Sequence, residues 1–584
     1  MSQGARPAVE PFGTWPAGAP GGNLAWFEDV RSGIEDIVPS ALPGAIILVV
    51  LLAAAATYPV SWAILAVYGR AVRRSMRKRS QAETPAEAGR RPIAMAPAMF
   101  AAVAVPALTD DAAGLAREMR RRPWQAAGAY ALAGIAYAAA MTVVMLTATA
   151  SWGGPIRFAV MTVVFAWPVL LTTGIVAAPA RSTRVALGAA YFVGVFVLGA
   201  VGVAGNPEGS VFGALLLWAL YNGPATILLL AFLSRRIRAV GPLVFVFLLL
   251  AVIGANLILT AVGASEGSLR TAATPLFNLG LGATGAFLAI AGAGALLFAV
   301  LGWGALVWIR RRYESKALSD ESVTLGAMWL IFMLAHSIGL LFEAPFAILA
   351  GPIPFVVFVV VNHVALAAVG PYRGVPPRLL LLRSFSIGAE GERLFDALEK
   401  HWRRVGSIQM IAGYDLASRT VEPHEFLDFV SGRLARRFID GPESFERRLR
   451  EMDTAPDRDG RFRINDFFCY DDTWRMVLST LVRHSHAVLM DLRGFTRDNA
   501  GCIFEIHELF RTVPLKQVVF VVNGDTDEPM LQETFRAASL TGGTAVEPRV
   551  CRLDVLQPRA MRALLDMLAE AAQPVSTSSI AQPR

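Results

Sequence analysis

The sequence predicts a polytopic α-helical membrane bundle of about nine spans, followed by an α/β doubly wound, mostly parallel-sheet domain. Three observations predict it. Apolar stretches of 18 or more residues recur between Ala45 and Val369, each long enough to cross a hydrocarbon core about 30 Å thick at roughly 1.5 Å per residue. The composition is 54% hydrophobic and only 17% charged, whereas roughly a quarter of residues are charged in soluble domains. Near residue 371 the apolar runs give way to a mixed polar sequence in which strand and helix signals alternate. The formal charge of +8 comes with basic residues crowded into short loops between apolar segments. That pattern is one of membrane topology, and no nucleic-acid partner is expected.

Residues 1–40 are rich in Gly, Pro and Ala and read as a flexible tail, with Trp26 and Phe27 suited to the membrane interface. No basic segment leads directly into an apolar one there, so a cleaved signal peptide is not expected. The transmembrane region is placed at 41–370, with spans near 45–68, 126–149, 157–178, 185–204, 211–233, 241–263, 284–309, 325–349 and 353–370. Alternate connections carry Arg70, Arg73, Arg74, Arg77, Lys78 and Arg79 through Arg120–Arg122, then Arg181 and Arg184, then Arg235, Arg236 and Arg238, then Arg310–Arg312. The connections between them lack such clusters. The positive-inside rule then predicts a multi-pass protein of the plasma (inner) membrane, with the N-terminus outside and the C-terminal domain cytoplasmic. The short, proline-interrupted run at 92–107 reads as interfacial or re-entrant, since a crossing there would invert every later loop.

Polar residues within the spans are costly unless they find partners. His336 and Glu343 lie seven residues apart, on one face of their helix, and Asn362 and His363 fall in the next span. A buried polar cluster is expected. It serves either a proton or ion relay or interhelical hydrogen bonds that fix packing, the second being the commoner use. Runs such as AGAGALLFAVLGWGAL favour close helix approach.

After a linker at 371–377, residues 378–574 read as the α/β domain, and 575–584 as a disordered tail. Apolar strands are expected at RLLLLRSFS, SIQMIAGYD, HAVLMDL, KQVVFVV and RVCRLDVL. Helices fall between them at Glu392–Val405, Glu422–Ile439 and from Asp472, Ala500, Glu528 and Pro558. An insertion around Pro442–Tyr470 adds PESFERRLREM and RFRINDFF. Strands this uniformly apolar belong to a sheet covered on both faces. Cys469, Cys502 and Cys551 cannot all pair and lack metal-site spacing, so reduced thiols and no metal site are expected.

Ligands of such sheets bind beyond the carboxyl ends of the strands. The candidates there are Arg383, Ser384 and Ser386, then Tyr414 and Asp415, then Asp491 and Arg493, then Asn523 and Asp525. His484 and His486 lack a further ligand at zinc spacing. Trp402, Arg403 and Arg404 read as a snorkelling, solvated surface. Arg436 and Arg437 gather at a helix end that could meet anionic lipid or a second copy of the domain.

The order of elements, the strand ending Arg-Ser-Phe-Ser, the long loop at Gly413–Glu425, and Ser485-His-Ala-Val-Leu-Met-Asp-Leu-Arg-Gly-Phe followed by Asn499-Ala-Gly-Cys-Ile-Phe-Glu505 together resemble the Toll/interleukin-receptor (TIR) family. Gly501 stands where that family usually has Trp, and the insertion around Pro442–Tyr470 is atypical. The resemblance implies a TIR-like fold with Glu505 as catalytic carboxylate, Arg383, Ser384 and Ser386 on the nucleotide side, and NAD as substrate or ligand. An unrelated Rossmann-like ligand-binding domain remains compatible with the same sheet. Three functions follow as expectations. The first is a membrane-anchored sensor or signalling protein whose cytoplasmic domain self-associates or binds a nucleotide. The others are an NAD-cleaving enzyme and a transporter regulated by its soluble domain.

Overall fold

The computed structural model describes residues 52–72, 111–178, 181–204, 235–343, 350–383, 389–412, 423–470, 472–542 and 548–573, with short pieces at 74, 210, 212–213, 226–228 and 232. Among the described residues, five helices are long and apolar enough to cross a membrane: Leu52–Val72, Ala112–Ala148, Val240–Gly263, Ala283–Glu314 and Pro352–Val369. The bent pair Pro155–Ala166 and Val169–Ala177, with an angle of 42°, makes a sixth if it is one span. Helices also cover two other expected spans, Arg181–Ala204 and Asp320–Glu343. The expected span at 211–233 and the run at 92–107 lie largely or wholly outside the described residues.

The bundle core gathers Tyr130, Tyr137, Trp329, Phe332 and Phe358. Close helix approach occurs where the sequence predicts it: a methyl group on Gly254 would sit 2.5 Å from the Gly294 carbonyl oxygen. The helices bearing these two glycines touch backbone to backbone, which small residues permit.

The second half is a seven-stranded sheet, all parallel, in the order β3-β4-β2-β1-β5-β6-β7. The strands are β1 Arg378–Arg383, β2 Ser407–Ala412, β3 Phe438–Ile439, β4 Ile464–Cys469, β5 Ala487–Asp491, β6 Val518–Val522 and β7 Arg549–Arg552. Setting aside β3 and β4, which come from the insertion and its approach, leaves the flavodoxin-like order with its switch point between β1 and β5. Register pairs Leu379 with Ile408 on one side and with Ala487 on the other.

Strand side chains alternate between faces, so each strand supplies two cores. Leu379, Leu381, Ile408, Met410, Leu489 and Val521 face the helices Ala389–Trp402 and Pro558–Ala571. Leu380, Leu382, Val488, Met490 and Phe520 face Trp474–Arg483, Ala500–Thr512 and Glu528–Gly542. The helix expected at Glu422–Ile439 runs only over Pro423–Val430. Gly432, at φ 70°, turns the chain, and a single 3-10 turn leads into β3, which the sequence did not predict.

The larger departure is at Ala112–Ala148. The span expected at 126–149 begins at Ala112, capped by the Asp111 carboxylate accepting from the Gly114 backbone N–H. Its first turns carry Leu115, Ala116 and Met119 into the same core as Leu379, Leu394 and Leu568. One continuous helix thus starts in the α/β domain and ends in the bundle. A second apolar contact joins Tyr68, Val72, Val240 and Leu306 of the bundle to Phe426, Leu427, Phe438 and Phe468 of the sheet domain, with Tyr68 and Phe429 edge to face at 5.3 Å.

Candidate functional site

The strand tops at the switch point are the first candidate. Arg383 ends β1; Ser384, Ser386, Tyr414 and Asp415 lie outside the described residues. At the top of β5, Arg493 closes onto Asp491 with two donors, each 2.8 Å from a carboxylate oxygen. Asn523, after β6, accepts the Gly494 N–H at 3.0 Å and donates to Asp525 at 3.0 Å. These predicted residues are tied up in local bonds: Arg493 holds Asp491, and Asn523 fixes the β5 loop at Gly494, which takes φ 68°.

Glu505 sits on the helix that follows β5, and is 5% exposed. Its Oε2 is buried and has no hydrogen-bond partner among the described residues. Burial pushes the carboxyl up to about 8, because a charge without partners is disfavoured in an apolar environment. The nearby Glu508 differs: it is bonded by Arg511 and Thr512.

Of the predicted intramembrane residues, His336, Asn362 and His363 have described side chains. His336 meets the Tyr137 hydroxyl at 2.9 Å and packs against Phe165 and Phe332. Asn362 keeps its carbonyl oxygen buried without a partner among the described residues, whereas His363 faces outward. Glu343 is the last described residue of its helix. His484 and His486 have local structural partners: the first is 2.7 Å from the Thr480 carbonyl oxygen, and the second accepts the Arg378 N–H at 3.0 Å.

The densest polar constellation lies where the two halves meet, and the sequence reading missed it. Trp402, Arg403 and Arg404, expected at a snorkelling, solvated surface, are instead buried. Lys400 Nζ donates to the Ala178 carbonyl at 2.7 Å, placing a cation at the C-terminal end of Val169–Ala177. His401 Nδ1 is 3.0 Å from the Met119 carbonyl oxygen. That carbonyl lacks its helical donor because Pro123, four residues on, has no N–H. Burial lowers the affinity of His401 for a second proton, so the neutral ring donates there.

Arg403 pairs with Glu399 at 2.7 Å and faces Asp320 at 3.4 Å; Arg404 pairs with Glu321. Asp320 and Glu321 open the helix Asp320–Glu343, where its dipole favours acids. The insertion completes the arrangement. Arg461 bonds Asp320 and Glu399, Asp459 accepts from Ser319, and Lys316 pairs with Asp453. Arg463 lies 3.9 Å from the centre of the Tyr313 ring and holds Asp457 at 2.7 Å. Burial pushes the Asp457 carboxyl up to about 7 against the pull of Arg463. At the opposite corner Asp428 joins Arg310 of the bundle to Arg437, which lies mostly buried instead of presenting a free basic surface.

The chain matches no family model, no curated protein sequence and no solved structure.

Proposed function

We propose that this chain is a membrane-integral signalling protein whose α/β domain binds a nucleotide at the β1/β5 crevice and exchanges that binding state with the helical bundle. The observation that carries the reading is the run Lys400–Arg404, whose Lys400, His401, Arg403 and Arg404 side chains contact three separate elements of the bundle half. A domain that was merely tethered would need only its linker. Here the helix that precedes β2 is bonded to the bundle and packs beneath the sheet whose upper edge offers the crevice. Placement of the domain on the cytoplasmic face, from the alternation of basic loops, agrees with this reading.

The test uses the full chain in lipid nanodiscs. Addition of NAD, ATP and GTP in turn should slow backbone hydrogen exchange at 491–494 and 523, and should also alter exchange at 315–321. Protection confined to the first segment removes the signalling reading, and protection by no nucleotide removes the nucleotide. In that case covalent cross-linking between copies tests self-association as the input.

A second reading is NAD cleavage of the TIR type, favoured by the buried Glu505 in the early part of the helix after β5, whose Oε2 has no hydrogen-bond partner among the described residues. In it the Glu505 carboxylate stabilises the oxocarbenium-like ribosyl carbon as the bond to nicotinamide breaks; the bonding pair leaves with nicotinamide and water supplies the hydroxyl. Because burial holds the group protonated up to about 8, nicotinamide release should rise with pH through that value and vanish in Glu505→Gln. Release that is flat with pH, or that persists in the variant, removes Glu505 from the chemistry.

A further inference from the structure

We infer that the cavity between the helices Ala112–Ala148 and Pro352–Val369, at the face that carries the α/β domain, binds the phosphate headgroup of an anionic phospholipid. The cavity holds about 680 Å³ and is lined by Arg121, Arg122, Arg373, Glu118, Gln125 and Tyr372, among others. Three guanidinium groups therefore face one carboxylate. Glu118 is held by Arg122 at 2.7 Å and lies 3.7 Å from Arg121, which leaves the lining with an excess of positive charge. Arg122 is fixed in place: it donates to the Gly370 carbonyl at 3.2 Å and lies 5.5 Å from the Tyr372 ring centre. Arg121 and Arg373 are exposed, and Arg373 makes no ion pair or hydrogen bond among the described residues. Guanidinium groups arranged this way suit phosphate oxygens, which they bind in bidentate fashion.

The surfaces leading away from the cavity identify the source of the phosphate. Ala368 and Gln125 line it. Val364, one helical turn before Ala368, is 62% exposed, and Leu132, two turns beyond Gln125, is 55% exposed. Both belong to helices long and apolar enough to cross a membrane. Trp124, half exposed beside the cavity, is the residue type that settles at the membrane–water boundary. A headgroup in the cavity thus has apolar tracks for its acyl chains, as in basic pockets between membrane helices. A soluble phosphate compound would leave those tracks unused.

Occupancy would also be felt beyond the cavity. Arg122 lies three residues after Met119, whose side chain packs in the core of the α/β domain and whose carbonyl is bonded by His401. The lipid would therefore touch the helix that joins the halves. This site is independent of the crevice proposed for nucleotide.

The experiment uses the full chain in nanodiscs, titrated with a fluorescent phosphatidylglycerol against a phosphatidylcholine background. The double variant Arg121→Gln/Arg373→Gln changes only exposed side chains, and should weaken phosphatidylglycerol retention on the order of tenfold. The corresponding double Lys variant, keeping charge, should retain most of it. Equal retention by the Gln variant and the parent overturns the site. Excess inorganic phosphate is the second arm. If it displaces the labelled lipid from the parent, and does so only when both arginines are present, the site takes free phosphate and the lipid assignment is overturned; lipid that stays bound supports it. Nucleotide protection at 491–494, measured in the same preparations, reports separately on the signalling reading.

Discussion

Arg461 places one guanidinium nitrogen 3.0 Å from both carboxylate oxygens of Asp320. The two residues belong to different halves of the molecule, and both are buried. Burying such charges costs on the order of several kcal/mol per ion unless each finds its counterpart, so the relationship fixes one relative placement of the halves. Asp320→Ala leaves Arg403 and Arg461 facing each other with a partner missing. The expected loss is about 3–5 kcal/mol, seen as a lower thermal unfolding midpoint in detergent and faster proteolysis at 315–321. Asp453→Ala, which breaks the more exposed pair with Lys316, should cost much less.

Pro123 and His401 make a second prediction, because each accounts for the other. Removing His401 strands the Met119 carbonyl, which has no helical donor, and a buried acceptor left without a partner costs about 1–3 kcal/mol. In a Pro123→Ala background the restored N–H of residue 123 can bond that carbonyl. His401→Ala should therefore destabilise the parent and have a smaller effect on Pro123→Ala. Chemical unfolding of the four proteins checks this as a double-mutant cycle. Strict additivity would show that the carbonyl is not what His401 serves.

Gly460 supplies a third. It takes φ 77° in the turn that lets Asp457 and Arg461 bond backbone to backbone at 2.8 Å. A methyl group there would lie 3.3 Å from the Gly370 carbonyl oxygen. Left-handed backbone costs a non-glycine residue roughly 1–2 kcal/mol, and the crowding at Gly370 adds to it. Gly460→Ala should lower the unfolding midpoint by more than Ala substitution at Gly441, whose added carbon would meet nothing within 4 Å, and should raise hydrogen exchange at 457–463.

The sheet was legible because its strands are runs such as VVFVV and AVLMD, and burial on both faces leaves no other use for them. Sequence order also showed the insertion, although not that β3 would form or that the insertion would dock on the bundle. The junction was hidden for a definite reason. Lys400, Arg403 and Arg404 carry the signature of a solvated helix end, while Asp320 and Glu321, which meet Arg403 and Arg404, are each 83 residues away from them in sequence. Composition cannot distinguish a charge facing water from one facing a distant opposite charge. Likewise the basic turn Arg120–Arg122 reads as a loop when apolar runs are counted, since the start of the helix through it is packed into the core of the α/β domain. At the candidate crevice, Asp491, Arg493 and Asn523 were found by the rule of strand ends, but the bond of Arg493 to Asp491 and that of Asn523 to the Gly494 N–H were not.

Glu505 gives the prediction that separates structure from chemistry. Its carboxyl is raised by burial from 4.5 to about 8 in the folded protein. A raised acid favours the folded state while both forms are protonated; the advantage is present below about 4.5 and is lost as pH rises through about 8. Glutamine at this position is neutral at every pH. Parent and Glu505→Gln should therefore unfold at similar temperatures near about pH 5, with the variant the more stable above about pH 8, by on the order of 1–3 kcal/mol. Thermal scans of the full chain in nanodiscs across that range measure the difference. A constant offset would mean that the carboxylate is charged when folded and has found a partner, and the pH-dependent onset expected for any reaction at Glu505 would disappear with it.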